Sequence, residues 1–249
     1  MKSQKIALKK PTIKVRITEK GEGIMAEVIT EKKAGLAGGY ASIKPSPEAK
    51  IAFEQLRDNI IYSLPANEDQ TGRIIGLTSA INGEGKTATT VNLGVALAEA
   101  GKKVVIIETD MRHPDISGKL EVSAAPGLSD YLVLNDKNLA IIKHSGIHEN
   151  LFVIPAGNVS QNPTKLLCSA RMDMLVKMLS KQFEYVVVDL PAICSDSTAT
   201  AVAQMVEGML FVVREGYGSK RDVAAAVKEL QDADVKILGF VMNAMRLIK

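Results

Sequence analysis

Cysteine is scarce. The 249 residues hold two, Cys168 and Cys194, and they do not form a C-x-x-C pair. Neither a disulfide framework nor a four-cysteine zinc or iron–sulfur site is expected from this chain alone. Histidine is nearly as rare: His113, His144 and His148 are too few and too scattered for a metal cluster. No run of 18 apolar residues occurs, so no segment reads as a bilayer span. The positive start, Met1 to Lys5, is followed only by Ile6-Ala7-Leu8, too short an apolar stretch for a secretory signal. A cytoplasmic protein is expected, with no nucleic-acid partner. No internal repeat is visible.

What is present is ordinary globular composition, 46% apolar and 24% charged. The length suits one large α/β domain, or one domain with a tail. The net charge of +3 conceals an asymmetry. Residues 1–33 carry nine Lys/Arg against four Asp/Glu, or +5, and the remainder carries 22 against 24, or −2. A basic tail on a near-neutral body fits contact with an anionic membrane surface or a phosphorylated partner, or a solvated tail without a task. Residues 1–45 therefore read as a flexible basic segment, with a short strand possible over Thr12–Ile17. The glycines of Gly35–Tyr40 and then Pro45-Ser46-Pro47 lead into a domain spanning 46–249.

Within that domain Ala52, Leu56, Ile60 and Ile61 recur at helical spacing, and Pro65-Ala66-Asn67 ends the helix. Six apolar strands are expected at 73–79, 103–108, 151–155, 185–189, 208–213 and 236–243. Helices are expected at 88–100, 164–181 and 220–232. Short apolar strands alternating with helices predict a mostly parallel sheet covered on both faces, a three-layer α/β fold. Ligands of such folds sit at the carboxyl ends of strands.

Two kinds of motif occupy those ends. The strand 73–79 runs into Ala80-Ile81-Asn82-Gly83-Glu84-Gly85-Lys86-Thr87 and then a helix, a Walker A pattern with Ala80 in place of the first glycine. Gly83 and Gly85 allow a tight turn that brings backbone N–H groups to phosphate oxygens. Lys86 supplies a charge to the β- and γ-phosphates, and Thr87 a hydroxyl ligand for Mg²⁺. Residues Asn82 to Ala88 are thus the candidate nucleotide cradle. The second kind is acidic: Glu108-Thr109-Asp110 closes one buried strand and Asp189-Leu190-Pro191 another. A carboxylate at this edge can hold Mg²⁺ or accept a proton from an attacking hydroxyl. Arg112 either steadies phosphate charge or pairs with a carboxylate.

These motifs, with Met111-Arg112-His113-Pro114 and Gly157…Asn162-Pro163-Thr164-Lys165-Leu166-Leu167, resemble the bacterial tyrosine kinases of capsular and exopolysaccharide synthesis, in the form where the kinase is a separate cytosolic protein. The resemblance covers roughly 45–243. It implies a P-loop NTPase fold and transfer of the γ-phosphate of ATP, with Mg²⁺, to tyrosine hydroxyls. It assigns Asp110 and Asp189 to the metal site with Thr87, and Asn243 to the adenine side. It makes Lys86, Glu108, Asp110 and Asp189 the catalytic set, with Glu108 or Asp110 as the base. It also implies a membrane-anchored chain-length regulator as activator and recruiter to the membrane, tyrosine-bearing protein substrates, and homo-oligomers.

The chain departs from the family at three places. Glu108 stands where the family usually has Asp, one methylene shorter. The ring-forming Glu-x-x-Arg-x-x-Arg positions read Ile51, Glu54 and Arg57. No tyrosine cluster closes the chain, so Tyr40 is the expected acceptor and Tyr185 is expected in the core. A nucleotide-binding regulator without efficient transfer is the second reading. A spatial-organisation ATPase is the third, although such proteins carry a signature lysine where this chain has Ile81.

Overall fold

The computed structural model describes residues 24–28, 39–64, 71–134, 140–158 and 162–244, and of 24–28 the backbone alone. The strand expected over 12–17 and the helix stop at 65–67 lie outside the described residues.

The first helix shows why its residues are helical. The Ser46 hydroxyl accepts from the Ala49 N–H at 3.2 Å and Pro47 takes the first turn of α1 (Pro47–Ser63). Ala52, Phe53, Leu56 and Ile60 form its buried face. Chain order then gives β2 (Arg73–Ser79), α2 (Lys86–Glu99), β3 (Val104–Glu108), α3 (Ile116–Leu120) and α4 (Leu128–Val133). Next come β4 (Lys143–His144), β5 (Leu151–Ile154), α5 (Pro163–Leu167), α6 (Ala170–Ser180), β6 (Tyr185–Asp189) and α7 (Thr198–Ala203). The last three are β7 (Gly208–Arg214), α8 (Lys220–Asp232) and β8 (Ile237–Asn243), and β1 (Ile24–Val28) precedes them all.

The strands form one eight-stranded sheet in the order β1-β8-β7-β2-β6-β3-β5-β4. All neighbours are parallel except β4 against β5. The period of two divides each strand between two cores. Val104 and Ile106 of β3 join Phe53, Leu56 and Leu97 on the face covered by α1 and α2. Val105 and Ile107 join Leu175, Leu179 and Leu230 on the face covered by α6 and α8. Burial on both faces explains the nearly unbroken apolar runs in the sequence. Phe211 of β7 is fully buried and packs at 5.6 Å from the Phe240 ring. Phe211→Ala should lower unfolding free energy by about 3–5 kcal/mol, read from urea denaturation.

All six expected strands are present, within a residue or so of their expected bounds. The single helix expected over 164–181 is two. Ser169 breaks it: its hydroxyl donates to Leu166 O at 2.6 Å and accepts from Met172 N–H at 3.4 Å, capping α6. Two stretches of the segment before residue 46 carry structure that the linker reading did not include. Strand β1 pairs in parallel with β8, and Gly39–Ser42 forms a 3₁₀ turn. Tyr40 in that turn donates to Asn92 Oδ1 of α2 at 3.2 Å.

Candidate active site

The loop after β2 and the carboxyl ends of β3, β7 and β8 converge on a cavity of about 640 Å³, while Asp189 at the end of β6 lies behind its wall and meets it through Thr87. Asn82, Gly83, Gly85, Lys86, Thr87 and Ala88 line it from the loop between β2 and α2. Gly83 and Gly85 hold φ of +86° and +92°, the left-handed region that glycine enters without strain. Gly85 has a further reason to lack a side chain: an added Cβ would lie 2.0 Å from Asn243 Nδ2. Asn243 donates to Glu84 O at 2.8 Å, fixing the end of β8 to the loop. Glu84 itself turns inward and is fully buried. Its carboxylate accepts from Ile81 N–H at 3.0 Å and Arg214 N–H at 3.3 Å, bracing the loop from behind. Of the expected cradle residues it alone contributes no lining to the cavity.

Asp189 is in register with both Leu77 of β2 and Glu108 of β3. The Thr87 hydroxyl donates to Asp189 Oδ2 at 2.8 Å, and the Thr90 hydroxyl lies 3.0 Å from Oδ1. Burial pushes the Asp189 carboxyl up to about 7, against the opposing pull of the Lys86 charge and the Thr87 hydroxyl. Thr109 joins the two acidic strand ends: its N–H and its hydroxyl donate to Asp189 O at 3.0 and 2.8 Å. Asp110 follows and lines the cavity. Its Oδ1 accepts from His113 N–H at 3.1 Å, and His113 Nδ1 stands 3.5 Å away.

Glu108 does not line the cavity. Its carboxylate is buried and accepts from the N–H groups of Asp115, Ile116 and Ala156 at 2.6, 2.7 and 3.0 Å. Burial raises its pKa, with those three amides opposing. Arg112 resolves between its two expected roles: Nε donates to Asp196 Oδ2 at 2.7 Å. Burial would raise Asp196, but the Thr198 hydroxyl and amide and then Arg112 hold it below the ordinary range.

Arg214, at the end of β7, was not among the expected site residues. It donates from Nη1 to Gly83 O at 3.1 Å, lies 4.7 Å over the Tyr217 ring, and lines the cavity. The signal for it was a cation at the carboxyl end of a strand on the same edge as the phosphate loop.

The tyrosines are placed differently from expectation in one case. Tyr185 is buried in β6, as expected. Tyr40 is half-buried and bonded to Asn92, and burial, then the Glu99 charge, pushes its hydroxyl up to about 12. Tyr62 at 90% and Tyr217 at 50% exposure are more reachable, so the expectation for Tyr40 is corrected.

A glycine loop between a central parallel strand and a helix, with buried carboxylates on the neighbouring strand ends, defines a P-loop nucleotide-binding protein. The comparisons agree. The ParA family model, described as NUBPL iron-transfer P-loop NTPase, matches residues 70–249. The tyrosine-protein kinase CpsD of Streptococcus pneumoniae is 32% identical over 205 residues, covering 80% of this chain and 88% of that one. The kinase domain of the Escherichia coli tyrosine kinase ETK superposes with a TM-score of 0.78 at 26% identity, covering 90% of this chain and 91% of that one. The septum site-determining protein MinD of Pyrococcus horikoshii, solved with Mg-ADP, gives 0.59 at 28% identity over 69% of this chain and 70% of that one. The chain belongs to the ParA-type P-loop NTPases and, within them, to the bacterial tyrosine-protein kinases.

Proposed function

We propose that this chain is a protein-tyrosine kinase that transfers the γ-phosphate of Mg-ATP to tyrosine hydroxyls in capsular or exopolysaccharide synthesis. The observation that carries the reading is the Thr87–Asp189 contact at 2.8 Å, with Asp110 and Lys86 lining the same cavity beside the glycine loop. The donors there are oxygens alone, a hydroxyl and carboxylates, and such a set suits Mg²⁺ completed by phosphate and water. Thr87, Asp189 and Asp110 would hold the ion, which when bound neutralises charge on the phosphates.

The chain's own residues do the rest. Loop amides and Lys86 hold the transferring phosphoryl group. Asn82 to Ala88 enclose the phosphates, and Asn243 faces the adenine. The tyrosine oxygen forms a bond to the γ-phosphorus as the bond from that phosphorus to the bridging oxygen breaks, and ADP leaves. The phenolic proton, held with a free pKa of about 10, passes to a carboxylate at the end of β3.

The domain is read as 46–249, preceded by a basic segment. A membrane-anchored chain-length regulator is its activator and draws it to the inner face of the membrane. Among the described residues no helix is long and apolar enough to cross a membrane. A homo-oligomer would have to form without the usual motif on α1. Ile51 there is exposed, and Arg57 is held by Asp58 and by Ala96 O at 3.4 Å.

The test is phosphotransfer from Mg-ATP with mass-spectrometric site mapping, with and without the cytosolic tail of a chain-length regulator. Phosphotyrosine on Tyr62, Tyr217 or the regulator is the expected result. Nucleotide binding with no phosphotyrosine, in the presence of a bound regulator tail, would overturn the kinase reading in favour of a nucleotide-binding regulator.

A further inference from the structure

The turn that follows β7, residues 214–218, is built against the phosphate loop. The Arg214 N–H donates to the buried Glu84 carboxylate at 3.3 Å, and its Nη1 donates to Gly83 O at 3.1 Å. The Glu215 N–H donates to Asn243 O at 3.0 Å, and Asn243 in turn holds Glu84 O. Tyr217 closes the turn through its N–H to Arg214 O at 3.3 Å. Its ring lies under the Arg214 guanidinium at 4.7 Å, and its hydroxyl reaches the loop itself. A Cβ at Gly83 would stand 2.5 Å from that oxygen.

Tyr217 combines this contact with access. Half of it is open to solvent, and Gly216 and Gly218 flank it. An added Cβ at Gly216 would meet nothing within 4 Å. Tyr62 is more open, but it lies about 22 Å along α1 from the end that meets the cavity at Ser46. A group added to Tyr217 therefore acts on the loop directly, and one added to Tyr62 does not.

Resting on the kinase reading above, we propose that Tyr217 is a modification site through which the enzyme brakes itself: a second copy phosphorylates it, and the phosphate draws Arg214 off the loop and lowers nucleotide affinity. The Tyr217 oxygen bonds to the γ-phosphorus of ATP as the bond from that phosphorus to the bridging oxygen breaks. ADP leaves, and the phenolic proton ends on water. Tyr217 forms no part of the wall of its own cavity, so the copy that acts on it is another.

The added group cannot stay where the hydroxyl is. It attaches a phosphorus and three oxygens to an atom already packed on Gly83, so the end of the ring swings off the loop. Arg214 follows it. Its present acceptor on the loop is a neutral carbonyl, whereas the phosphate offers about two negative charges, and charge-assisted bonds are about twice as strong. The cavity then loses one of the cations that line it, Lys44, Lys86, Lys119 and Arg214, and gains a dianion nearby. Both changes oppose the binding of a polyphosphate.

The site is tested by mixing wild-type protein and Mg-ATP with a tagged Lys86→Met copy as acceptor, then mapping phosphotyrosine on the tagged chain. Tyr217 should carry it. The brake is tested separately, on protein with phosphotyrosine installed at 217 during translation. Mg-ADP should bind about tenfold more weakly at low salt, with the difference shrinking as salt rises. Backbone amides 82–85 should exchange hydrogen faster, as they should in Arg214→Gln. Tyr217→Phe keeps the ring under Arg214 and should bind Mg-ADP as the wild type does. Phosphotyrosine on Tyr62 or the regulator with Tyr217 bare overturns the site. Unchanged or tighter Mg-ADP binding with phosphotyrosine at 217 overturns the brake. Should the wild-type chain phosphorylate nothing, the kinase reading fails and self-modification falls with it, while the installed phosphotyrosine still decides whether the turn controls the loop.

Discussion

Lys86→Met should abolish phosphotransfer, with a fall of at least about 10²–10³-fold, and leave the fold intact. Lys86 opens α2 and is 7% exposed, so its charge acts where water screens little. Met is close to it in length and keeps the first turn of the helix. The loop amides remain, so nucleotide should still bind, more weakly. The comparison is of rate, circular dichroism and nucleotide affinity in the two proteins. A variant that retains activity within tenfold would remove Lys86 from the transfer step.

Asp189→Asn should separate activity from stability. Transfer should fall by about 10²-fold or more as a charged Mg²⁺ ligand is lost. Metal-free protein at pH 8 should become more stable. Burial holds the Asp189 carboxyl at about 7 against an ordinary 3.8. A raised pKa means that the fold binds the proton more tightly than the unfolded chain does. The associated stability is fully present below about 3.8 and is lost as pH rises through about 7. At roughly 1.4 kcal/mol per unit, the ionised carboxylate costs the metal-free fold a few kcal/mol at pH 8. Asn carries no charge, its oxygen can accept from the Thr87 hydroxyl, and its NH2 can donate to the Thr90 oxygen, whose own proton is placed to go to Lys86 O. Melting temperatures in chelator should favour the variant at pH 8 and converge towards the acid side. A lower melting temperature for Asp189→Asn at pH 8 would show that the charge stabilises the fold.

The strands were legible because burial on both faces writes them as long β-branched runs such as Tyr185–Asp189. The short elements α3, α4 and α7 were not, since five or six residues complete too few turns to show a period. The phosphate loop and Asp110 and Asp189 were legible because their chemistry fixes residue type and spacing together. The directions of Glu84 and Glu108 were not. Both are motif carboxylates turned to bind backbone amides. Two of those amides lie far along the chain, at 214 for Glu84 and at 156 for Glu108, and those at 115 and 116 lie seven and eight residues on, across a loop. Arg214 was missed by one residue, since the expected strand ended at Val213 and the cation sits on the next position.

Among the described residues the sheet ends beyond β5 in β4, two residues long and running against its neighbour. An edge so short offers few free N–H and C=O groups, so it is a poor template for another strand. Sheet-to-sheet growth is therefore closed on that side of the molecule. Copies of the chain or regulatory tails that bind there must be recognised through helix faces and loops, where side chains rather than backbone set the specificity.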